Sequence, residues 1–380
     1  MKAIENKTIA IVGGGPGGLT LARLLQKNGA DVKVYERDEH KDARPKGATL
    51  DLHEESGLAA LREADLMEAF KANYRPGADK LRIVDKHAKI LLDDDVNKKT
   101  YNDRPEIDRG PLQKILLDSL KPDTVVWNSR LLSLIPESGS WKLDFESGTS
   151  SLADIVVAAD GANSRIRPYL TPIKPFYSGV TIVEGAVFHS ETATPQIHRL
   201  LNGGKIFALG DEKSLIVSSK GDGSLVFYTG CKTVEKWSAE CGIDFSDKVQ
   251  VLEWFKREFA GWDMIWEELF KNAGTAFIPR PQYCMPFDQK WETVSNLTIL
   301  GDAAHLMPPY AGEGVNMAML DALELSRCLI SEDFSDTQSA LAAYEKQMLT
   351  RASETAIITM ESTKELHSAD AIPFILEIVG

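Results

Sequence analysis

Cysteine is scarce here: 4 in 380 residues, at positions 231, 241, 284 and 328. No CxxC or Cys/His spacing accompanies them. That argues against a disulfide-built fold and a zinc or iron–sulfur centre, and fits free buried thiols in a reducing cytosol. An excess of positive charge is also missing. Forty-three Lys and Arg stand against 56 Asp and Glu, a net charge of −13 at pH 7. This argues against non-specific binding to nucleic acid or an anionic membrane. No apolar run is long enough to span a bilayer, and residues 1–7 are too few and too polar for a signal peptide. Repeats and low-complexity tracts are absent. No Ser/His/Asp or metal-ligand constellation appears. No side chain is nominated as catalytic. What remains is an ordinary globular composition, 43% hydrophobic and 26% charged. The length suggests two domains.

The first positive signal is Ile9-Ala10-Ile11-Val12-Gly13-Gly14-Gly15-Pro16-Gly17-Gly18. An apolar β-branched run reads as a buried parallel strand. Gly13 allows a tight turn, Gly15 lets backbone approach a pyrophosphate, and Gly18 lets the next helix pack on the strand. Leu19, Ala22, Leu24 and Leu25 give that helix its apolar face, and Asn28-Gly29 ends it. Its N-terminus, with Pro16, offers free N–H groups and a partial positive charge to phosphates. Val32–Tyr35 reads as a second strand closed by Glu36, an acid roughly 20 residues past the glycines and suited to a ribose diol. Arg37 has two readings, a contact to adenine or phosphate and a plain surface arginine.

Farther along, residues 55–70 read as a helix, and 81–84 with 89–92 as a hairpin outside the nucleotide fold. Glu106–Arg109 is expected to open a helix carrying Leu112, Ile115, Leu116 and Leu120. Strands are expected at 125–127, 131–135, 141–145 and 155–159. Between about 177 and 283 short alternating runs predict a mainly antiparallel sheet with one helix near 247–259. Its Trp254 and Phe255, and Trp262 and Trp266 after it, are read as core. A buried strand at 297–300 follows, and the chain from about Asn316 is mostly helical. A long helix within 339–380 places Leu341, Tyr344, Met348 and Ile357 on its apolar face, either bridging two domains or forming a dimer contact; bridging in a monomer is favoured.

Two later turns carry chemistry. Asp160-Gly161-Ala162-Asn163-Ser164-Arg165-Ile166-Arg167 follows a strand; Asp160 either caps the next helix beside counter-charged arginines or belongs to a plain turn. Gly301-Asp302 also follows a strand, and Asp302 suits a ribityl hydroxyl. Pro308-Pro309-Tyr310-Ala311-Gly312-Glu313-Gly314-Val315-Asn316 then enters a helix with little bulk, where a flat ring can lie against backbone N–H groups. His305 is read as a structural residue of the turn rather than a base.

In that order, the three motifs resemble those of the group A flavoprotein monooxygenases, the para-hydroxybenzoate hydroxylase family. Within it the chain is most similar to the tetracycline-inactivating enzymes, through residues 13–16, 34–38, 49–53, 105–109 and 301–314. The resemblance implies an α/β fold: a Rossmann-like FAD-binding domain (1–76, 115–173, 284–335) interrupted by an antiparallel substrate domain (77–114, 174–283), then a C-terminal helical segment (336–380). It implies FAD, with NADPH or NADH as transient reductant, and oxygen transfer from dioxygen, through a flavin hydroperoxide, to a phenolic or enolic polycyclic substrate. Glu36, Arg37, Arg44, Asp51, Arg109 and Asp302 are expected at FAD, with Asp160, Pro309, Gly312, Gly314, Val315 and Asn316 completing its site. Glu313 replaces the family's usual Gln. Glu184, Lys205 and Val226 align where the tetracycline branch has Gln, Arg and His. Phe207, Ile216, Pro308 and Tyr310 complete the expected substrate wall. The competing readings are another FAD oxidoreductase and a non-hydroxylating redox sensor.

Overall fold

The computed structural model describes residues 4–43, 49–94 and 104–379. The predicted Arg44 contact lies outside them. Five parallel strands form the nucleotide sheet, in the order Leu297–Ile299, Ile155–Ala158, Thr8–Val12, Asp31–Tyr35, Val125–Val126. The central strand buries Ile9 through Val12, as a strand covered on both faces must. Helix Pro16–Lys27 follows it and buries Leu19, Leu21, Ala22, Leu24 and Leu25. This helix packs along helix Gly314–Ile330. That contact, with the strand pairing of Leu297–Ile299 to Ile155–Ala158, brings the first and last sequence motifs together.

The second sheet has seven strands, in the order Ile278–Cys284, Phe176–Val187, Leu225–Lys232, Lys213–Ser219, Lys205–Gly210, Leu81–Asp85, Ile90–Asp93. It is antiparallel except where Lys205–Gly210 runs parallel to Leu81–Asp85. Alternation divides its two faces. Val183, Leu215, Val217 and Phe227 point into an aromatic core with Trp254, Phe255, Trp266 and Phe270. Phe255 and Phe270 stack at 4.1 Å. Ile182, Glu184, Ile216 and Tyr228 point the other way, toward a cavity shared with the nucleotide sheet.

The C-terminal segment touches both layers. Helix Thr337–Glu365 starts in an Asp336/Ser339 capping box and sinks Leu341, Tyr344 and Met348 into the nucleotide core. Leu366 and helix Ala371–Val379 then pack against Ile83 and Leu209 of the large sheet.

Several expectations need correction. Residues 55–70 form two short helices, Gly57–Glu63 and Met67–Lys71, broken where Asp65 takes a positive φ of 59°. Glu106–Asp108 is a strand paired with Thr49–Asp51, and the helix begins only at Arg109. The boundary drawn at 114/115 cuts that helix, whose Leu112, Ile115 and Leu116 lie in the nucleotide core. The substrate layer holds further helices, among them Pro195–Leu201 and Glu267–Lys271, besides Lys248–Glu258. Prolines 279 and 281 mask strand Ile278–Cys284 in the sequence; it sits at a sheet edge, where proline is tolerated. Ile357 is 48% exposed and not a core position.

Candidate cofactor and substrate site

The glycine turn is shaped for a ligand at one point and for itself at two others. Gly13 has φ of +114°, and a Cβ there would stand 2.1 Å from the Ala159 carbonyl oxygen. A Cβ on Gly18 would stand 2.1 Å from the Gly13 carbonyl oxygen. A Cβ on Gly15 would meet nothing within 4 Å, because that side opens into the cavity. Pro16 lines the same opening. Glu36, at the end of the second strand, accepts from Gly14 N–H at 2.6 Å and from Asp38 N–H at 3.0 Å. The turn and the acid are thus locked together. Arg37 and Arg109 line the cavity with their side chains exposed.

Two further carboxylates reach this space. Asp160 accepts from Arg165 N–H at 2.8 Å, while its Oδ1 is buried without a hydrogen-bond partner. Burial raises its carboxyl above the ordinary range. The next helix takes its first hydrogen bonds from Ser164 rather than Asp160, since the Ser164 hydroxyl accepts from Arg167 N–H at 3.0 Å. Arg167 is not a free counter-charge either. It is buried and donates to the carbonyls of Ala303, Ala162 and Asp302, stapling the Asp160 turn to the Asp302 turn. Asp302 follows Gly301 and faces the cavity. Enclosure by protein raises its carboxyl, against the pull of His305, Arg109 and Arg167.

His305 is structural, as expected. It is 3% exposed, and its Nε2 pairs with Asp321 at 2.6 Å. Asp321 also accepts from Gly301 N–H at 2.8 Å and from Arg351 at 2.7 Å. This buried cluster fixes the turn that presents Asp302.

The low-bulk segment 308–315 lines the cavity as Pro308, Pro309, Tyr310, Gly312, Gly314 and Val315, and Gly314 opens helix Gly314–Ile330. Asn316 does not line it. Its side chain is fully buried and holds the loop after Asp51: Oδ1 accepts from His53 N–H at 2.9 Å, and Nδ2 donates to the Asp51 carbonyl at 2.9 Å. Asp51 lies at the cavity wall beside His53, 3.1 Å away, and Arg104. Glu313 is 3.7 Å from the other ring nitrogen of His53. Burial raises the Glu313 carboxyl, offset by His53 and Arg104.

The sheet supplies the rest. Register places Glu184, Tyr228, Ile216 and Phe207 in one row across four strands. The next row holds Ser218 and Lys205. Val226 stands beside them on the same face but is 3% exposed and does not line the cavity. Neither charge expected for ligand contact is free: Glu184 pairs with Arg280 at 2.5 Å, and Lys205 pairs with the buried Glu106. Tyr310 is anchored from below. His367 donates from Nδ1 to the Thr363 carbonyl at 2.7 Å, so its Nε2 accepts from the hydroxyls of Ser214 and Tyr310. Burial lowers His367 to about 4, which keeps this acceptor neutral. Phe374, Ile375 and Ile378 of the last helix form the far apolar wall.

Local sequence patterns do not point to Glu106, Arg280, Tyr228 or Ser218 as site residues, nor to the cavity wall that the last helix supplies. Glu106 becomes visible only through the pairing of its strand with Asp51. Arg280 depends on the strand hidden by prolines.

The cavity measures about 2440 Å³. A drug-sized ligand needs roughly 300–1,000 Å³, so there is room for a dinucleotide and a second molecule. The residues present fit FAD: a glycine cradle open at Gly15, an acid at Glu36, an unpaired buried Asp160 oxygen, and a helix start at Gly314 beside Asp302. Among the described residues no group of His, Cys, Asp and Glu is arranged to hold a metal ion. No described helix is long and apolar enough to cross a membrane.

Comparison with known proteins agrees with this geometry. A family model described as FAD binding domain matches residues 6–209 and 290–357. The chain is 30% identical to the 3-amino-4-hydroxybenzoate 2-monooxygenase PtnB3 of Streptomyces platensis, over 95% of this chain and 89% of that one. It is 28% identical to the monooxygenase asqM of Emericella nidulans, over 92% and 93%. The crystal structure of the tetracycline destructase Tet(51) shares the fold, with a TM-score of 0.71 and 19% identity over 100% of this chain and 95% of that one. The chain therefore belongs to the FAD-binding-domain family and is an FAD-dependent monooxygenase of the aromatic-hydroxylase type.

Proposed function

We propose that this enzyme hydroxylates a fused-ring phenol or β-diketone-type enol, using NADPH or NADH as reductant and dioxygen as oxidant. The observation that carries this reading is the continuity of the cavity. One space runs from the Gly13–Gly18 turn, past Asp302 and Gly312–Gly314, to the sheet face of Phe207, Ile216 and Tyr228. When bound, FAD supplies hydride acceptance and dioxygen activation. The chain's own residues do the remainder. Gly15 and the helix start at Pro16 receive the pyrophosphate. Glu36 and Asp302 accept hydroxyls of the two sugar-like portions, and Arg109 balances the charge. Asp51, Asp160 and the 309–315 segment bound the ring system. Pro308 and Tyr310 wall the junction between cofactor and substrate, and Phe374 and Ile378 exclude water from it.

A chamber walled by Phe207, Ile216, Phe374 and Ile378, with Lys205 and the Glu184–Arg280 pair at its side, suits a flat multi-ring substrate that carries an ionisable group. The relatives named as acting on a hydroxybenzoate support the phenolic part of this reading. Four free thiols suit a reducing compartment, the cytoplasm. The C-terminal helices cover this chain's own sheet, which favours a monomer. The test is substrate-stimulated NAD(P)H oxidation across a panel of phenols and enols, with mass detection of one added oxygen. Coupled product formation supports the proposal. Peroxide made in full with no oxygenated product from any member overturns it, in favour of an oxidase. Negligible turnover throughout overturns it, in favour of a redox sensor.

A further inference from the structure

Strands Thr49–Asp51 and Glu106–Asp108 place Asp51 and Glu106 directly opposite each other. Two like charges in that position destabilise a strand pair unless their environments differ or compensate. Here they differ. Asp51 is flanked by His53 at 3.1 Å and Arg104 at 4.0 Å, with Glu313 behind His53. Glu106 is 2% exposed and its ionic partner is the Lys205 ammonium, which reaches over from the large sheet and is 22% exposed at the cavity wall. Both residues line the chamber, Lys205 as the more exposed cation and Glu106 as a carboxylate almost wholly enclosed. The arrangement holds one proton acceptor hidden from solvent and one cation facing the substrate.

We propose that Lys205 and Glu106 are the substrate-ionising pair of this enzyme: Lys205 holds the oxyanion of a bound phenol or enol, and Glu106 stores the proton. This rests on the hydroxylase reading above. The substrate O–H bond breaks and its proton forms an N–H bond at Lys205 Nζ, while Nζ gives one of its own protons to Glu106. The net result is a phenolate or enolate, a neutral Glu106 and a still-charged Lys205. No electrons change hands in this step. The ionised ring is the more electron-rich partner for electrophilic oxygen transfer. The electrostatics agree with the geometry. Burial raises the Glu106 carboxyl, with Asp51 adding to it and Lys205 opposing. Burial would raise Asp51 too, yet His53 and Lys205 bring it below the ordinary range. When two neighbouring carboxyls are driven apart in this way, the raised one is the proton carrier.

The test uses the FAD-loaded enzyme, without reductant, and two chromophoric probes, 4-nitrophenol and 4-nitro-1-naphthol. Their ionised forms are read by absorbance, and proton release by a pH indicator in weak buffer below the free probe's pKa. Wild type is expected to bind the phenolate with no net proton release. Glu106→Gln is expected to bind it with release of about one proton per phenolate, because the internal store is gone. Lys205→Met is expected to bind the neutral phenol, and Lys205→Arg to restore the phenolate. Retained FAD and an unchanged far-UV spectrum certify that each variant is folded. Neutral probe on the wild type, equal proton release from wild type and Glu106→Gln, or no binding of either probe overturns the pair. The underlying reading fails separately, by the absence of any oxygenated product from the substrate panel.

Discussion

Asn316 holds the backbone of Asp51 by an Nδ2 hydrogen bond to its carbonyl at 2.9 Å, although 265 positions separate them in sequence. Its Oδ1 accepts from His53 N–H and from the Ser56 hydroxyl, at 2.9 and 3.2 Å. One fully buried amide therefore sets the position of the Asp51 carboxylate relative to the Gly312–Gly314 turn. Asn316→Ala leaves buried donors and a carbonyl unsatisfied, each costing about 1–3 kcal/mol. Urea unfolding of the apoprotein is expected to show a loss in that range or above, and FAD titration a weaker affinity. An unchanged unfolding midpoint would remove this residue from its positioning role.

The glycines of the first turn separate folding from binding. Gly18→Ala drives a methyl into the Gly13 carbonyl and is expected to destabilise the apoprotein by about 1–3 kcal/mol. Gly15→Ala has room in the fold, so its cost there stays under about 1 kcal/mol, the scale of a poorer helix cap. Its methyl enters the space proposed for the pyrophosphate, and FAD affinity is expected to fall sharply. Thermal unfolding without FAD, paired with FAD titration, reads the two effects independently. Equal behaviour of the two variants in both measurements would contradict the assignment.

These contrasts mark what the chain's order of residues makes legible. The Gly13–Gly18 turn, Glu36 and the 301–314 segment act through backbone shape and local spacing, so they are readable from short stretches. Lys205 and Glu184 were readable as cavity residues but not as paired ones, because Glu106 and Arg280 arrive from remote strands. Asn316 was expected at the cofactor, yet its side chain serves the loop that carries Asp51. Val226 failed for a subtler reason. Period-2 alternation chooses the correct face but cannot say which residue on that face a neighbour covers.

The His305–Asp321–Arg351 cluster predicts a pH-dependent contribution to stability. The folded state raises His305, through Asp321 against the opposing effect of burial, and lowers Asp321 despite burial, through His305 and Arg351. The histidine part is fully present below the ordinary value of 6.5 and is lost as pH rises through the raised folded value. The aspartate part is present above the ordinary value of 3.8 and is lost as pH falls through the lowered folded value. Both operate together between 3.8 and 6.5. Asp321→Asn removes one partner of a buried pair, a loss of about 3–5 kcal/mol. The gap between wild type and variant, followed by denaturant unfolding against pH, is expected to be widest in that window. A gap that grows steadily above it would contradict the charged-pair assignment.

Tetracycline turnover is expected to be weak. At the three positions aligned with the drug-gripping residues, Glu184 is committed to Arg280, Val226 is buried, and Lys205 offers a point charge without the bidentate fork of an arginine. A ligand polar group left without a partner loses about 1–3 kcal/mol, enough for roughly 5- to 150-fold per group. The apolar row of Phe207, Ile216 and Tyr228 still accepts a flat ring system, so a fused-ring phenol with a single ionisable hydroxyl is expected to outperform the drug. Steady-state assays with tetracycline and NADPH, read by loss of drug absorbance and gain of one oxygen by mass, make the comparison. Efficient turnover at micromolar drug would show that the Glu184–Arg280 pair opens on binding and that Lys205 serves in place of the bidentate fork.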